Sequence, residues 1–271
     1  HQVEIVRQPL CRNKWTKVFH ATHRSSGHHR HSDARLATVI ERLAYGELPD
    51  QYGELRVPEG GAALPLVILI HGGFWRDQYH CDLMHPLADA LYERGYASWN
   101  IEYRRVGPTG GGYPTTLHDV AAAIDHSITS SWRAIAVVGH SAGGHLALWN
   151  AGRTDALVRP DLTVGLAPVT DVVAANITGV GVDATDNFFG GTVDEVPNNY
   201  AGGQPVPAAF AGRIVLIHGD RDDSVPLAQS CSLADHVDRL EVLNNVDHFD
   251  VIDPDHPSWH IVFDELAQLT D

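Results

Sequence analysis

The hexapeptide Gly139-His140-Ser141-Ala142-Gly143-Gly144 stands between the apolar run Ala134-Ile135-Ala136-Val137-Val138 and the helix-like Leu146-Ala147-Leu148-Trp149. A strand that turns this sharply into a helix lifts one side chain out of the sheet, and glycines are needed where a Cβ would strike the neighbouring strand or helix. Gly139 and Gly143 therefore shape the turn, with Ser141 at its tip as a nucleophile elbow. A serine hydroxyl is a poor nucleophile until a base takes its proton. The remainder of the chain must supply that base.

At 271 residues the chain can bury a large core and sits near the upper size of one domain. It contains no run of eighteen apolar residues and no charged-then-apolar leader, so a soluble, cytoplasmic protein without a membrane span is expected. A formal net charge of −15 repels phosphate backbones and anionic headgroups, which argues against nucleic acid as a partner. Three cysteines, Cys11, Cys81 and Cys231, are too few for a disulfide framework, and their odd number forbids complete pairing within one chain. A reducing compartment is the expectation. His20, His23, His28, His29 and His31 crowd one polar stretch, but no Cys pair or helical His-x-x-x-His accompanies them. Residues 1–40 read as a solvated, poorly ordered arm, and no metal is assigned.

From Gly53 onward short apolar runs alternate with amphipathic stretches, the rhythm of βαβ units over a mostly parallel sheet. Strands are expected at 66–70, 97–103, 134–138, 163–167, 214–217 and 240–243. Helices are expected at 82–94, 116–127, 226–237 and 259–269. Residues 171–212 show no strong period of either kind, and a segment that long reads as a cap.

In such a sheet the catalytic groups come from loops at the carboxyl ends of strands. After the 214–217 run, His218-Gly219-Asp220-Arg221-Asp222-Asp223 offers three aspartates. Asp222 is assigned as the acid, with Asp220 and Asp223 as alternatives whose type also suits turn or cap roles. His248, just beyond the last strand, is the base by the chain order Ser, Asp, His. The loop His71-Gly72-Gly73-Phe74-Trp75 follows the first buried strand. Gly72 shapes this loop, and the amides of Gly73 and Phe74 join that of Ala142 as oxyanion donors. Trp75, His140, Phe188 and Phe189 are assigned to the substrate pocket.

With these residues in place, roughly 43–271 resembles the α/β-hydrolase superfamily, in the esterase, lipase and arylformamidase branch with a His-Gly-Gly-x-Trp loop. Trp99 to Arg104 and His248 to Pro254 extend the resemblance. It implies an α/β-hydrolase fold, a doubly wound and mostly parallel sheet of about eight strands, with the catalytic domain over 41–271 and a short cap. It also implies cofactor-free hydrolysis of a small-molecule ester or amide through an acyl-enzyme. A serine esterase acting on short-chain or compact aryl esters is the leading expectation, with an arylformamidase as runner-up. A hydrolase-like binding protein without turnover is the reading from another class, and three intact catalytic groups argue against it.

Overall fold

The computed structural model describes residues 40–59, 65–127 and 130–269. Its frame is one eight-stranded sheet: β1 Ile40–Ala44, β2 Tyr52–Arg56, β3 Leu66–Ile70, β4 Ala97–Ile101, β5 Ile135–His140, β6 Leu162–Leu166, β7 Arg213–Gly219 and β8 Arg239–Leu243, in the order β1-β2-β4-β3-β5-β6-β7-β8. β1 pairs with β2 and β2 with β4 in antiparallel sense, while every other pairing is parallel. The observed sheet is the expected α/β-hydrolase fold. β1 and β2 carried no sequence signal of their own, because β1 is mostly exposed and lacks apolar alternation.

β3 is buried on both faces, and alternate residues feed two cores. Leu66, Ile68 and Ile70 pack with Leu117, Val120 and Ile124 of α2 (Thr115–His126) and with Leu146 of α3 (Ala142–Ala151). Val67 and Leu69 meet Leu87 and Leu91 of α1 (His85–Glu93) and Trp259, Val262 and Leu266 of the closing helix Ser258–Ala267. Helices on both faces keep the central strands dry and fix the height of the loops at their carboxyl ends.

The cap segment is helical, in pieces too short to display a period: α4 Val172–Thr178, α5 Ala184–Phe189 and α6 Pro197–Gly203. Gly179 and Gly190, both left-handed, stop the first two. Where the sequence pattern predicts one helix over 226–237, the structure has α7 Ala228–Ser232 and then a 3-10 turn at Ala234–His236, followed directly by β8. The closing helix is therefore α8.

The His-rich arm falls on residues outside those described. Cys81 is a free, buried thiol, whereas Cys231 is disulfide-bonded, which removes the support that the cysteines gave to a reducing compartment. Among the described residues no helix is long and apolar enough to cross a membrane.

Candidate active site

Ser141 occupies the turn from β5 into α3 with φ 55° and ψ −118°. A non-glycine residue there is strained, and the surroundings hold it. Its amide donates to Leu166 O at 2.8 Å, and its carbonyl accepts from His145 at 3.1 Å and Val169 at 3.3 Å. A Cβ on Gly139 would lie 2.2 Å from Gly143 O, and one on Gly143 would lie 2.2 Å from Ile70 O. Both glycines are thus required by close approach, as the spacing predicts.

Asp222 and His248 come from the loops after β7 and β8. His248 Nδ1–H donates to Asp222 Oδ2 at 2.7 Å, which leaves Nε2 as the basic nitrogen of the neutral ring. Asp222 Oδ1 accepts the amides of Ser224 at 2.9 Å and Val225 at 2.7 Å. Burial opposes the charge on Asp222, yet the hydrogen bonds from His218 and His248, with that of Val225, hold the carboxyl well below the usual range. Of the three neighbouring aspartates, Asp222 alone meets His248. Asp220 accepts the Asn245 amide and Asp223 the Ser224 hydroxyl.

His140 joins the serine to the histidine. Its Nε2–H donates to His248 O at 3.0 Å, and the two rings lie 4.6 Å apart. Burial and the neighbouring His248 push His140 down to about 3, so it stays neutral. Expected in the substrate pocket, it instead carries the main chain of His248. No hydrogen bond runs from the Ser141 hydroxyl to His248 among the described residues, and such contacts often tighten only with substrate bound.

The loop after β3 has three consecutive residues at positive φ: Gly73 at 104°, Phe74 at 53° and Trp75 at 58°. A Cβ on Gly72 would lie 2.9 Å from Ser141 Cβ, so this loop packs directly on the serine. The amides of Gly73, Phe74 and Ala142 have no acceptor among the described residues. Ala142 opens α3, where the first amides lack helical partners.

The support beneath this loop is Glu102, within the stretch Trp99 to Arg104, for which the sequence offers no role. Its Oε1 lies 3.0 Å from His71 Nε2 and accepts from the Tyr103 amide and the Arg105 guanidinium, while Oε2 accepts the Cys81 amide at 3.0 Å. Burial would raise this carboxyl, but the hydrogen bond and charge of His71, together with Arg105, bring it to about 2. Tyr103 stacks on His71 at 4.3 Å and donates its hydroxyl to His71 O. An acidic residue at the end of a buried strand was the available signal.

Trp75, Phe188 and Phe189 were expected to line the pocket. Each is 1% exposed, and the rings are taken up by one another: Trp75 stacks on Phe188 at 4.6 Å, and Phe189 stacks on Tyr200 at 4.2 Å. They bind the cap to the sheet and offer little surface to a ligand. Glu54, Cys81 and His85 bring a carboxylate, a thiol and an imidazole within 4.8 Å of one another. Glu54 already bonds His85 at 2.7 Å, and the Arg56 guanidinium lies 3.6 Å from the same oxygen, so the group is complete as an ion pair.

Among solved structures, the chain is similar to a bifunctional GH43-CE protein from Bacteroides eggerthii, with 16% identity, TM-score 0.72, and coverage of 88% of this chain but only 39% of that one. A truncated carbohydrate esterase from gut microbiota matches at 18% identity and TM-score 0.71 over 89% of this chain and 98% of that one. Esterase B from Lactobacillus rhamnosis matches at 22% identity and TM-score 0.68 over 86% of both chains. No curated protein matches by sequence. A family model described as BD-FAE matches residues 55–237, a span that runs from β2 through the elbow and Asp222, and the chain accordingly belongs to this family of α/β-hydrolase-type esterases.

Proposed function

We propose that the protein hydrolyses carboxylic esters through an acyl-enzyme on Ser141. The observation that carries this reading is the 2.7 Å bond between His248 Nδ1 and Asp222 Oδ2, on loops tied through His140 to the strained turn bearing Ser141. His248 Nε2 takes the proton as Ser141 attacks the carbonyl, and buried Asp222 stabilises the imidazolium that forms. The unoccupied amides of Gly73, Phe74 and Ala142 suit the developing oxyanion. His248 then protonates the leaving alcohol, and water attacks the acyl-enzyme to release the acid. No cofactor is needed for these steps.

The substrate in this reading is a small-molecule ester with a short acyl chain or a compact aryl group. In support, the cap is built from helices of six or seven residues whose large rings are buried, Phe188 on Trp75 and Phe189 on Tyr200, an arrangement unlike a long apolar lid. One of the structural neighbours is a carbohydrate esterase by name, which favours a polar leaving group such as a sugar hydroxyl.

A serine-reactive phosphonate tests the nucleophile, with one adduct expected, at Ser141, and none on Ser141→Ala. Labelling elsewhere, or ester turnover by a folded Ser141→Ala protein, overturns the reading. Rates on chromogenic esters of increasing acyl length, set beside a formylated arylamine, decide the substrate class. Faster cleavage of the formamide would make this an arylformamidase.

A further inference from the structure

We propose that His218 is a positioning residue for the acid–base pair: it donates a hydrogen bond to the same Asp222 oxygen that accepts from His248, fixing that oxygen and spreading its charge. The proposal rests on the serine-hydrolase reading of Ser141, Asp222 and His248.

His218 lies near the end of β7 and is fully buried. Its Nε2 is 2.9 Å from Val225 O, and a carbonyl only accepts, so Nε2 carries the proton. The neutral ring then has a bare Nδ1, and the Ser230 hydroxyl in α7 donates to it at 2.7 Å. With the tautomer set by Val225 O, Nε2 also lies 3.2 Å from Asp222 Oδ2, beside that bond. A mere staple for the 222–230 loop would account for the contacts with Val225 and Ser230. It would not account for the ring nitrogen lying 3.2 Å from the oxygen that orients His248.

The chemical consequence follows from sharing one acceptor. In a low-dielectric site each N–H on Oδ2 draws charge from the oxygen and lowers its pull on the His248 proton. Without that neighbour Asp222 Oδ2 would hold the His248 proton more tightly. The other groups around His248 do not replace it. His140 is held neutral, while in the histidine's own loop Asp247 accepts the amides of Phe249 and Asp250, and Asp250 accepts that of Asp247.

The test is the pH dependence of kcat/KM for p-nitrophenyl acetate in three variants whose folding is checked by circular dichroism. In His218→Leu, kcat is expected to fall about tenfold and the midpoint of the acid limb to rise by about half a pH unit. His218→Gln puts an amide N–H near the place of Nε2–H and should recover most of both. Ser230→Ala, a far milder change, leaves Nδ1 without its donor and should move the midpoint upward by a smaller amount. An unmoved or lowered midpoint in folded His218→Leu overturns the proposal, and if that variant does not fold, the same result in Ser230→Ala does so. Ser141→Ala runs in parallel: turnover there sinks the serine reading itself, whereas an inert Ser141→Ala with unmoved midpoints in the other variants sinks only the role of His218.

Discussion

Two buried carboxylates organise the two halves of the candidate site, and they are built almost alike. Glu102 accepts from His71, the amides of Cys81 and Tyr103, and the guanidinium of Arg105. Asp222 accepts from His248 and the amides of Ser224 and Val225, with His218 Nε2 3.2 Å from its Oδ2. Each takes a histidine, backbone amides and one further donor, and each is held below the usual carboxylate range despite burial. The difference lies in the fourth partner. Glu102 has a permanent cation, so its charge is compensated at all times and it serves to brace the loop over Ser141. Asp222 has only imidazoles and amides, so its full compensation waits for a proton on His248. In the proposed mechanism a buried charge left in that state would stabilise the imidazolium of the transition state.

Breaking the two carboxylates in turn should separate their roles. Asp222→Asn removes the charge and leaves His248 without its orienting acceptor, so kcat should fall by about four orders of magnitude while the fold survives. Glu102→Gln instead leaves the buried Arg105 only its longer contacts with Asp50 at 3.7 Å and Asp77 at 3.6 Å, and loss of the close partner of such a pair costs up to about 3–5 kcal/mol of stability. Urea melts and ester kinetics on both variants provide the check. If Glu102→Gln lost as much kcat as Asp222→Asn at unchanged stability, the distinction between brace and acid would be wrong.

The half built around Asp222 was the more legible in sequence. Ser141, Asp222 and His248 each follow an apolar run, and chain order alone picks the histidine from eighteen. The elbow glycines were legible too, because close approach tolerates no other residue. Glu102, His140 and His218 were not, since their roles depend on which neighbour lies across the sheet, and nothing in the local string records that. His140 in the elbow patterns like a pocket residue, yet its partner is the main chain of a residue 108 positions away. Phe188 and Phe189 failed for a related reason. Aromatic residues in a cap pattern identically whether they line a cavity or fill it, and only the stacking on Trp75 and Tyr200 tells the two apart.

Acid should loosen the molecule before it discharges either carboxylate. Burial pushes His140 down to about 3 and His145 down to about 4, both from an ordinary value of 6.5. Because the folded values lie lower, the unfolded chain takes up protons first as pH falls. Stability is full above 6.5 and drains away toward these folded values, at up to about 1.4 kcal/mol per pH unit for each histidine. His145, whose Nε2–H reaches Gly203 O in the cap at 2.8 Å, can be replaced by glutamine without removing an N–H from that position. Urea melts between about pH 7 and 5 should therefore show a shallower loss in His145→Gln than in the parent. Parallel slopes would mean that other groups control acid sensitivity.

The smallest effects are expected at the solvent edge of the site. Phe249, the residue after His248, is 55% exposed, with its ring edge-on to His248 at 5.4 Å. On the other half Tyr79 is also partly exposed, but it abuts Gly73, where a Cβ would lie 2.4 Å from it. An aromatic ring left in water beside the base gains by covering part of a substrate, whereas a ring pressed on the oxyanion loop acts on the backbone that must receive charge. Phe249→Ala should thus raise KM about threefold to tenfold with kcat nearly unchanged, the scale of losing part of one apolar contact. Tyr79→Ala should lower kcat with little change in KM, because slack at Gly73 is felt when the oxyanion forms. Paired kinetics on one aryl ester read both. A fall in kcat for Phe249→Ala at constant KM would show that this ring orients His248, and would move it from the substrate surface into the support of the acid–base half.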